Sequence, residues 1–277
     1  MHTDPEIPIK DWPDFVKCLL EFDHDDLACR GEPRKYCEMK PQLDRLILGK
    51  NLSQRLGIER DVCQRFREHA PVHLNAFERE YLKTPWLQLV VMQHYAAPTR
   101  LLDWTKSPWV AAFFAASAEP KEDGYVYVFR RNPMEKMIND RFPKDLSSLV
   151  HGRPTGGKFT TPVWDEADAN EDLFYEDRVK DLDLWVATFY SRKTHFPRLV
   201  AQQGIFTFAS KPDTDHWDRI CEQTMTSERR TFKICASAKA RVLRGLNIAG
   251  LNGATLFPGV DGIGRSLEGF IQTRYLT

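Results

Sequence analysis

Residues 93–108 read Gln93-His94-Tyr95-Ala96-Ala97-Pro98-Thr99-Arg100-Leu101-Leu102-Asp103-Trp104-Thr105-Lys106-Ser107-Pro108. The stretch passes from turn to strand to helix start. Ala96 to Thr99 has turn composition, and Arg100 to Trp104 reads as a short strand. Ser107 is a good N-cap and Pro108 is preset for the first helical position. The helix that follows, Trp109 to Ala118, is apolar on most sides, which predicts a buried core helix. It is about half the ~20 apolar residues a membrane span needs.

Working outward, apolar spacing predicts an N-terminal helical segment within residues 11–28, with Asp11 as its cap and Pro13 in its first turn. Leu27 to Glu32 follows as a short strand. Helical patterns run over Pro41–Leu48, Asp61–Glu68 and Asn75–His94, the last with a break at Pro85. Beyond the central stretch, strands are predicted at Gly124–Phe129, Leu184–Tyr190, Ile205–Phe208 and Thr231–Cys235. Helices are predicted at Phe196–Gln202, Ala238–Leu246 and Ile263–Ile271, with a turn at Thr255–Gly259. Residues 131–171, punctuated by proline and glycine, read as a long loop or lid. Strands and helices intermix without regular βα alternation. The expectation is therefore one α+β domain over 1–277, with a mixed, mainly antiparallel sheet flanked by helices.

The chain has 277 residues, and 39 basic side chains balance 39 acidic ones. A zero sum argues against long nucleic-acid tracts held by charge alone, but leaves room for a local basic cleft. The N-terminus shows no basic or apolar leader pattern, which predicts a cytoplasmic protein without membrane attachment. The six cysteines form no Cys-x-x-Cys pair that could join a histidine pair at a zinc site, so reduced thiols and no metal are expected. Asn51-Leu52-Ser53 matches a glycosylation sequon, which has no meaning without secretion.

Several motifs carry chemistry. Gly152 to Lys158 nearly spells a phosphate-binding loop, but Phe159 stands where a magnesium-holding Ser or Thr belongs, so a flexible loop is the better reading. Arg153 and Lys158 could still close over an anion. His94, Tyr95, Thr99, Arg100 and Asp103 pack a base, two hydroxyls, a cation and a carboxylate into one stretch. That cluster suits general acid–base work or a phosphorylated ligand, and equally an Arg100–Asp103 pair holding a turn. Cys29 lies beside Arg30, which could lower its thiol pKa, with His94 a conceivable partner; a buried free cysteine is the commoner role.

Cys29-Arg30-Gly31-Glu32 resembles the Phe-Arg-Gly signature of the FRG domain, with Cys in place of Phe. Gln93 to Pro108 is similar to the family's second and most specific block. Arg198 through Gln202-Gln203-Gly204-Ile205-Phe206-Thr207 resembles the third, and Thr255 to Gly262 the closing segment. The likeness covers roughly 11–270. FRG domains are bacterial modules carried also by phage, and the order of the blocks resembles ADP-ribosyltransferases at the level of fold.

That remoter resemblance implies a split sheet around a cleft and an NAD-consuming enzyme, either an ADP-ribosyltransferase or an NAD glycohydrolase, acting as a toxin or phage-defence effector. It makes NAD the substrate and a protein or nucleic acid the acceptor. Arg30 and Gly31 become pyrophosphate-binding candidates, joined by Tyr95, Thr99, Arg100 and Thr105. Gln203 falls where such transferases place a glutamate, and it is preferred over Gln202 because it adjoins Gly204. An amide supplies no negative charge, so Glu32, Asp103 and His94 complete the catalytic candidates. The departure at Gln203 keeps two alternatives open. One is a module that binds a nucleotide, RNA or protein without turnover. The other is a phosphodiester hydrolase using His94 and Asp103.

Overall fold

The structure, a computed structural model, describes residues 5–22, 25–83, 85–133, 187–189, 196–209 and 211–275. Of the loop predicted over 131–171, residues 131–133 are helical, and 134–171, with the Gly152–Phe159 motif and the cations Arg153 and Lys158, lie outside the described residues.

The described chain is α+β, built on a seven-stranded sheet in the order β1-β7-β4-β2-β3-β6-β5. The strands are β1 (Glu6–Ile9), β2 (Leu27–Glu32), β3 (Leu101–Thr105), β4 (Gly124–Arg130), β5 (Ala187–Phe189), β6 (Gly204–Phe208) and β7 (Arg229–Ile234). Only β1 and β7 run parallel; the other neighbours are antiparallel, so the sheet is mixed and mainly antiparallel.

The helices follow the predicted starts where capping chemistry was legible. Helix α1 spans Trp12–Phe22, and Asp11 Oδ1 accepts from the Asp14 N–H at 2.9 Å. Short α2 (Gln42–Leu46) precedes α3 (Leu52–His69), which opens on a reciprocal Asn51–Gln54 capping box and extends the predicted 61–68 segment at both ends. The 75–94 pattern divides into α4 (Ala76–Tyr81) and α5 (Pro85–His94), with Pro85 at the first position of the second helix. Helix α6 (Pro108–Ala116) starts at Ser107 and is buried on most sides, as its composition predicts. Then come α7 (Pro197–Ala201), α8 (His216–Gln223), α9 (Lys239–Ile248), α10 (Gly253–Leu256) and α11 (Val260–Tyr275).

Three elements escape the sequence reading. One is α10, which is helical from Gly253 and overlaps the predicted turn at Thr255–Gly259. Strand β1 carries a proline and forms through its parallel pairing with β7 at an edge, where a residue without an N–H is tolerated. Helix α8 is short and is nucleated by Asp215, whose carboxylate accepts from the Trp217 and Asp218 N–H groups.

Three apolar clusters cover the sheet. The largest joins α1, α6 and α9 to β2, β4 and β7 through Phe15, Val110, Phe232 and Leu246. A second sets Trp217 and Ile220 of α8 against Trp104, Tyr127 and Phe129. A third packs α5 against β3 and β6 through Val91, Met92, Leu101 and Phe208. Helix α6 seats closely on the sheet because Gly31 and Gly124 lack side chains. A Cβ at Gly31 would come within 1.8 Å of the Ala111 carbonyl oxygen, and one at Gly124 within 2.2 Å of that of Ala115.

Candidate functional site

The sheet is weakest between β2 and β3. The two strands share a single pairing, Cys29 with Thr105, whereas β2 and β4 pair along their whole length. Beyond Cys29 the strands diverge, and the gap is crossed by a side chain: Arg30 Nη1 donates to the Asp103 carbonyl at 2.6 Å. A cleft of about 410 Å³ opens there, lined by Arg30, Glu32, His94, Asp103 and Gln202 among others.

Arg30 is committed to this junction. Its Nε and Nη2 both donate to Glu32 Oε1 at 2.6 Å, and its Nη1 holds β3. Two guanidiniums at the other side of the cleft differ. Arg198 and Arg265 both line it, and both lie over the Phe257 ring, at 4.9 and 4.4 Å from its centroid. Both are exposed, and among the described residues neither has a carboxylate partner. The cleft thus brings three arginines against two carboxylates, a local surplus of positive charge that the neutral sum over the chain conceals.

Asp103 reaches solvent at the floor of this concavity, yet protein surrounds it closely. Desolvation raises its pKa, opposed by the Arg30 charge and by Gln93. A hydrogen-bond relay sets its orientation. The Leu101 N–H donates to Thr99 Oγ1, the Thr99 hydroxyl donates to Gln93 Oε1 at 2.5 Å, and Gln93 Nε2 then donates to Asp103 Oδ2 at 2.8 Å. Because Thr99 can donate only one proton, it decides which end of the Gln93 amide faces the carboxylate. His94 stacks on Phe196, 4.2 Å between centroids, and burial together with the Arg198 charge lowers its pKa, so it stands neutral at pH 7.

The predicted residues divide. Arg30, Gly31, Glu32, His94, Asp103 and Thr105 converge on the cleft. Gly31 is glycine for its contact with α6. The Thr105 hydroxyl donates to the Gln202 carbonyl and accepts from the Ser107 N–H, so it stitches the end of β3 to the turn before β6. Thr99 is buried behind the cleft and acts through Gln93. Tyr95 points away: its hydroxyl donates to Glu78 at 2.8 Å, and desolvation with that bond pushes its pKa up to about 12. Of the two glutamines, Gln202 lines the cleft and donates to the Leu256 carbonyl, while Gln203 is exposed in a left-handed turn at φ 47°.

One reading needs correction, and at Cys29 the commoner role of a buried cysteine holds. Arg100 pairs with neither Asp103 nor the cleft. It is buried against Glu59 of α3 through two hydrogen bonds and lies over the Phe208 ring. Residue spacing cannot reveal that partner, which comes from a helix 41 positions earlier. Cys29 is no activated thiol, because complete burial raises its pKa and outweighs any nearby cation. Gln93, Arg198 and Arg265 carry the site without having been singled out. Their only sequence signal was membership of, or nearness to, the quoted blocks.

Among the described residues, no helix is long and apolar enough to cross a membrane. Comparison with curated proteins and with solved structures returned no match. A model of the FRG domain matches residues 25–124, a span that holds β2, the Gln93–Pro108 stretch and α6, and so supplies Arg30, Glu32, Gln93 and Asp103. Over that span the chain is similar to the FRG domain.

Proposed function

We propose that the cleft binds a dinucleotide of the NAD type and cleaves its nicotinamide–ribose bond, with water or a macromolecular acceptor taking the ADP-ribose. The observation that carries this reading is the pair Arg198 and Arg265, two guanidiniums that face the cleft over one aromatic ring and have no carboxylate partner among the described residues. Guanidinium is the side chain that binds pyrophosphate bidentately. Arg30, the pyrophosphate candidate of the sequence reading, serves here as a positioning residue for Glu32 and for β3. Departure of nicotinamide builds positive charge on the ribose, and a carboxylate in a concave, partly desolvated site stabilises such charge strongly. Among the described residues, Asp103 and Glu32 are the carboxylates that line the cleft. Gln202 contributes hydrogen bonding without charge. In such an effector the biological role would be toxicity or phage defence.

Incubation of the purified protein with NAD, with and without cell lysate, tests this. Nicotinamide release that is lost in Asp103→Asn and Glu32→Gln supports it. Absence of release and of any modified acceptor across pH and buffer conditions overturns it. A second reading rests on a specific observation: Glu32 is occupied by Arg30 and Asp103 by Gln93. It predicts tight binding of ADP-ribose or NAD by calorimetry with no turnover, and so a nucleotide-binding module.

A further inference from the structure

Helix α11 is built the wrong way round for a helix that lies on one domain. Gly262, Ser266, Gly269 and Thr273 form its inward face, all buried or half-buried. The seat is tight at one end. A Cβ at Gly262 would come within 1.8 Å of the Phe257 carbonyl oxygen, and one at Gly253 within 2.6 Å of the Ser266 nitrogen. The large apolar side chains point outward. Val260 is 84% exposed, Leu267 58% and Tyr275 67%, with Ile263, Phe270 and Ile271 about half exposed between them. Their spacing of three and four residues makes one continuous stripe. Surface helices of soluble domains bury that face, and contiguous exposed patches of this kind mark interaction sites. Gly264 lies within the stripe and an added Cβ there would meet nothing, so a residue that weakens a helix is not required by packing inside the chain.

We infer that the outward face of α11 pairs antiparallel with α11 of a second copy of this chain. Charge selects that occupant and that direction. Asp261 stands at the N-terminal end of the stripe and Arg274 at the C-terminal end, both exposed. Antiparallel pairing sets each Asp261 level with the partner's Arg274 and opposes the helix dipoles; parallel pairing would set like charge beside like. At that register Gly264 is level with Ile271 and Val260 with Tyr275, so the open backbone at Gly264 receives an isoleucine. The two-fold axis then passes beside Leu267. An isologous contact of this kind closes on itself as a dimer. The opposite side of the same helix carries Arg265 into the cleft, so the dimer would hold one wall of the candidate site in place.

Sedimentation and light scattering of the full protein test the inference. The expected result is a dimer that Leu267→Asp converts to monomer, halving the mass with helical content unchanged. In a Cys37→Ser background, Leu267→Cys should form a disulfide-linked dimer and Val260→Cys should not, whereas Val260→Cys with Tyr275→Cys should. A wild-type monomer throughout the micromolar range overturns the proposal, even if the protein then binds lipid vesicles or another protein. A dimer unaffected by Leu267→Asp, or efficient linkage by Val260→Cys alone, overturns it as well. None of these readouts depends on NAD.

Discussion

Two groups of arginines in this molecule face opposite situations. Behind β3, Arg55 and Arg100 are buried and saturated. Arg55 Nη1 lies 3.3 Å from Asp44 and its Nη2 2.9 Å from Asp213, while Arg100 is clasped by Glu59, and Arg55 and Glu59 sit one turn apart on α3. At the cleft, Arg198 and Arg265 are exposed and rest only on Phe257 among the described residues. A buried guanidinium requires compensating acceptors, here carboxylates, since the cost of an unpaired buried charge exceeds what packing can return. An exposed pair aimed into a concavity has no such requirement and leaves its donors for something that arrives. The first group therefore reads as architecture, and recognition is the role that the proposed function gives the second.

Breaking the saturated group should have the largest effect. Arg100→Ala strands Glu59 in the interior and should cost about 3–5 kcal/mol, read as a large drop in the urea midpoint, whereas changing both residues to leucine should recover much of it. A loss within about 0.5 kcal/mol for the single variant would erase the contrast between the two groups.

The converse holds at the cleft. Arg198→Ala and Arg265→Ala should leave stability nearly unchanged, while each weakens ADP-ribose binding by roughly 1.5–3 kcal/mol, about ten- to a hundredfold by calorimetry. Equal binding by the double variant would remove the basis for the pyrophosphate assignment.

Acid should also separate the two environments. His216 is fully buried, its Nδ1 lies 2.7 Å from the Thr207 hydroxyl, and its Nε2 has no partner among the described residues. Burial, helped by the Arg30 charge, pushes its pKa down to about 3 from an ordinary value of 6.5. Between those values the unfolded chain binds a proton that the folded chain refuses, so stability falls as pH drops through this window. The slope contributed is at most about 1.4 kcal/mol per pH unit, and His216→Phe should flatten it in pH-dependent denaturation curves. An unchanged slope in the variant would place the acid sensitivity elsewhere.

The smallest effect belongs to the relay. Thr99→Val removes the bond that orients Gln93 and should cost about 1 kcal/mol of stability. It should also shift the acid limb of any activity that depends on Asp103, a change that loss of packing alone would not produce. If the pH profile keeps its position, Gln93 does not tune the carboxylate.

Much of the frame was legible in residue order. Ser107-Pro108 marks the start of α6, the apolar run that follows predicts its burial, and the alternation of Gly124 to Phe129 predicts β4. Capping, periodicity and breakers are local, so they survive in a one-dimensional reading. The site was legible only in part. Arg30, Glu32, His94 and Asp103 lie in two blocks that β2 and β3 bring side by side, and all four line the cleft. Arg198 and Arg265 stand 67 positions apart, and only Phe257 between them makes a pair of them. The choice between Gln202 and Gln203 turned on a left-handed residue that turns Gln203 outward.

By itself, then, the sequence determined most of the elements, the α+β class and the two motif strands that border the cleft, because each follows from side chains close in the chain. The tertiary structure decided which charges are spent and which are available. Arg100 and Arg198 are chemically the same residue. Burial beside Glu59 commits one and exposure over Phe257 releases the other, and desolvation is a property of the packed molecule rather than of the string.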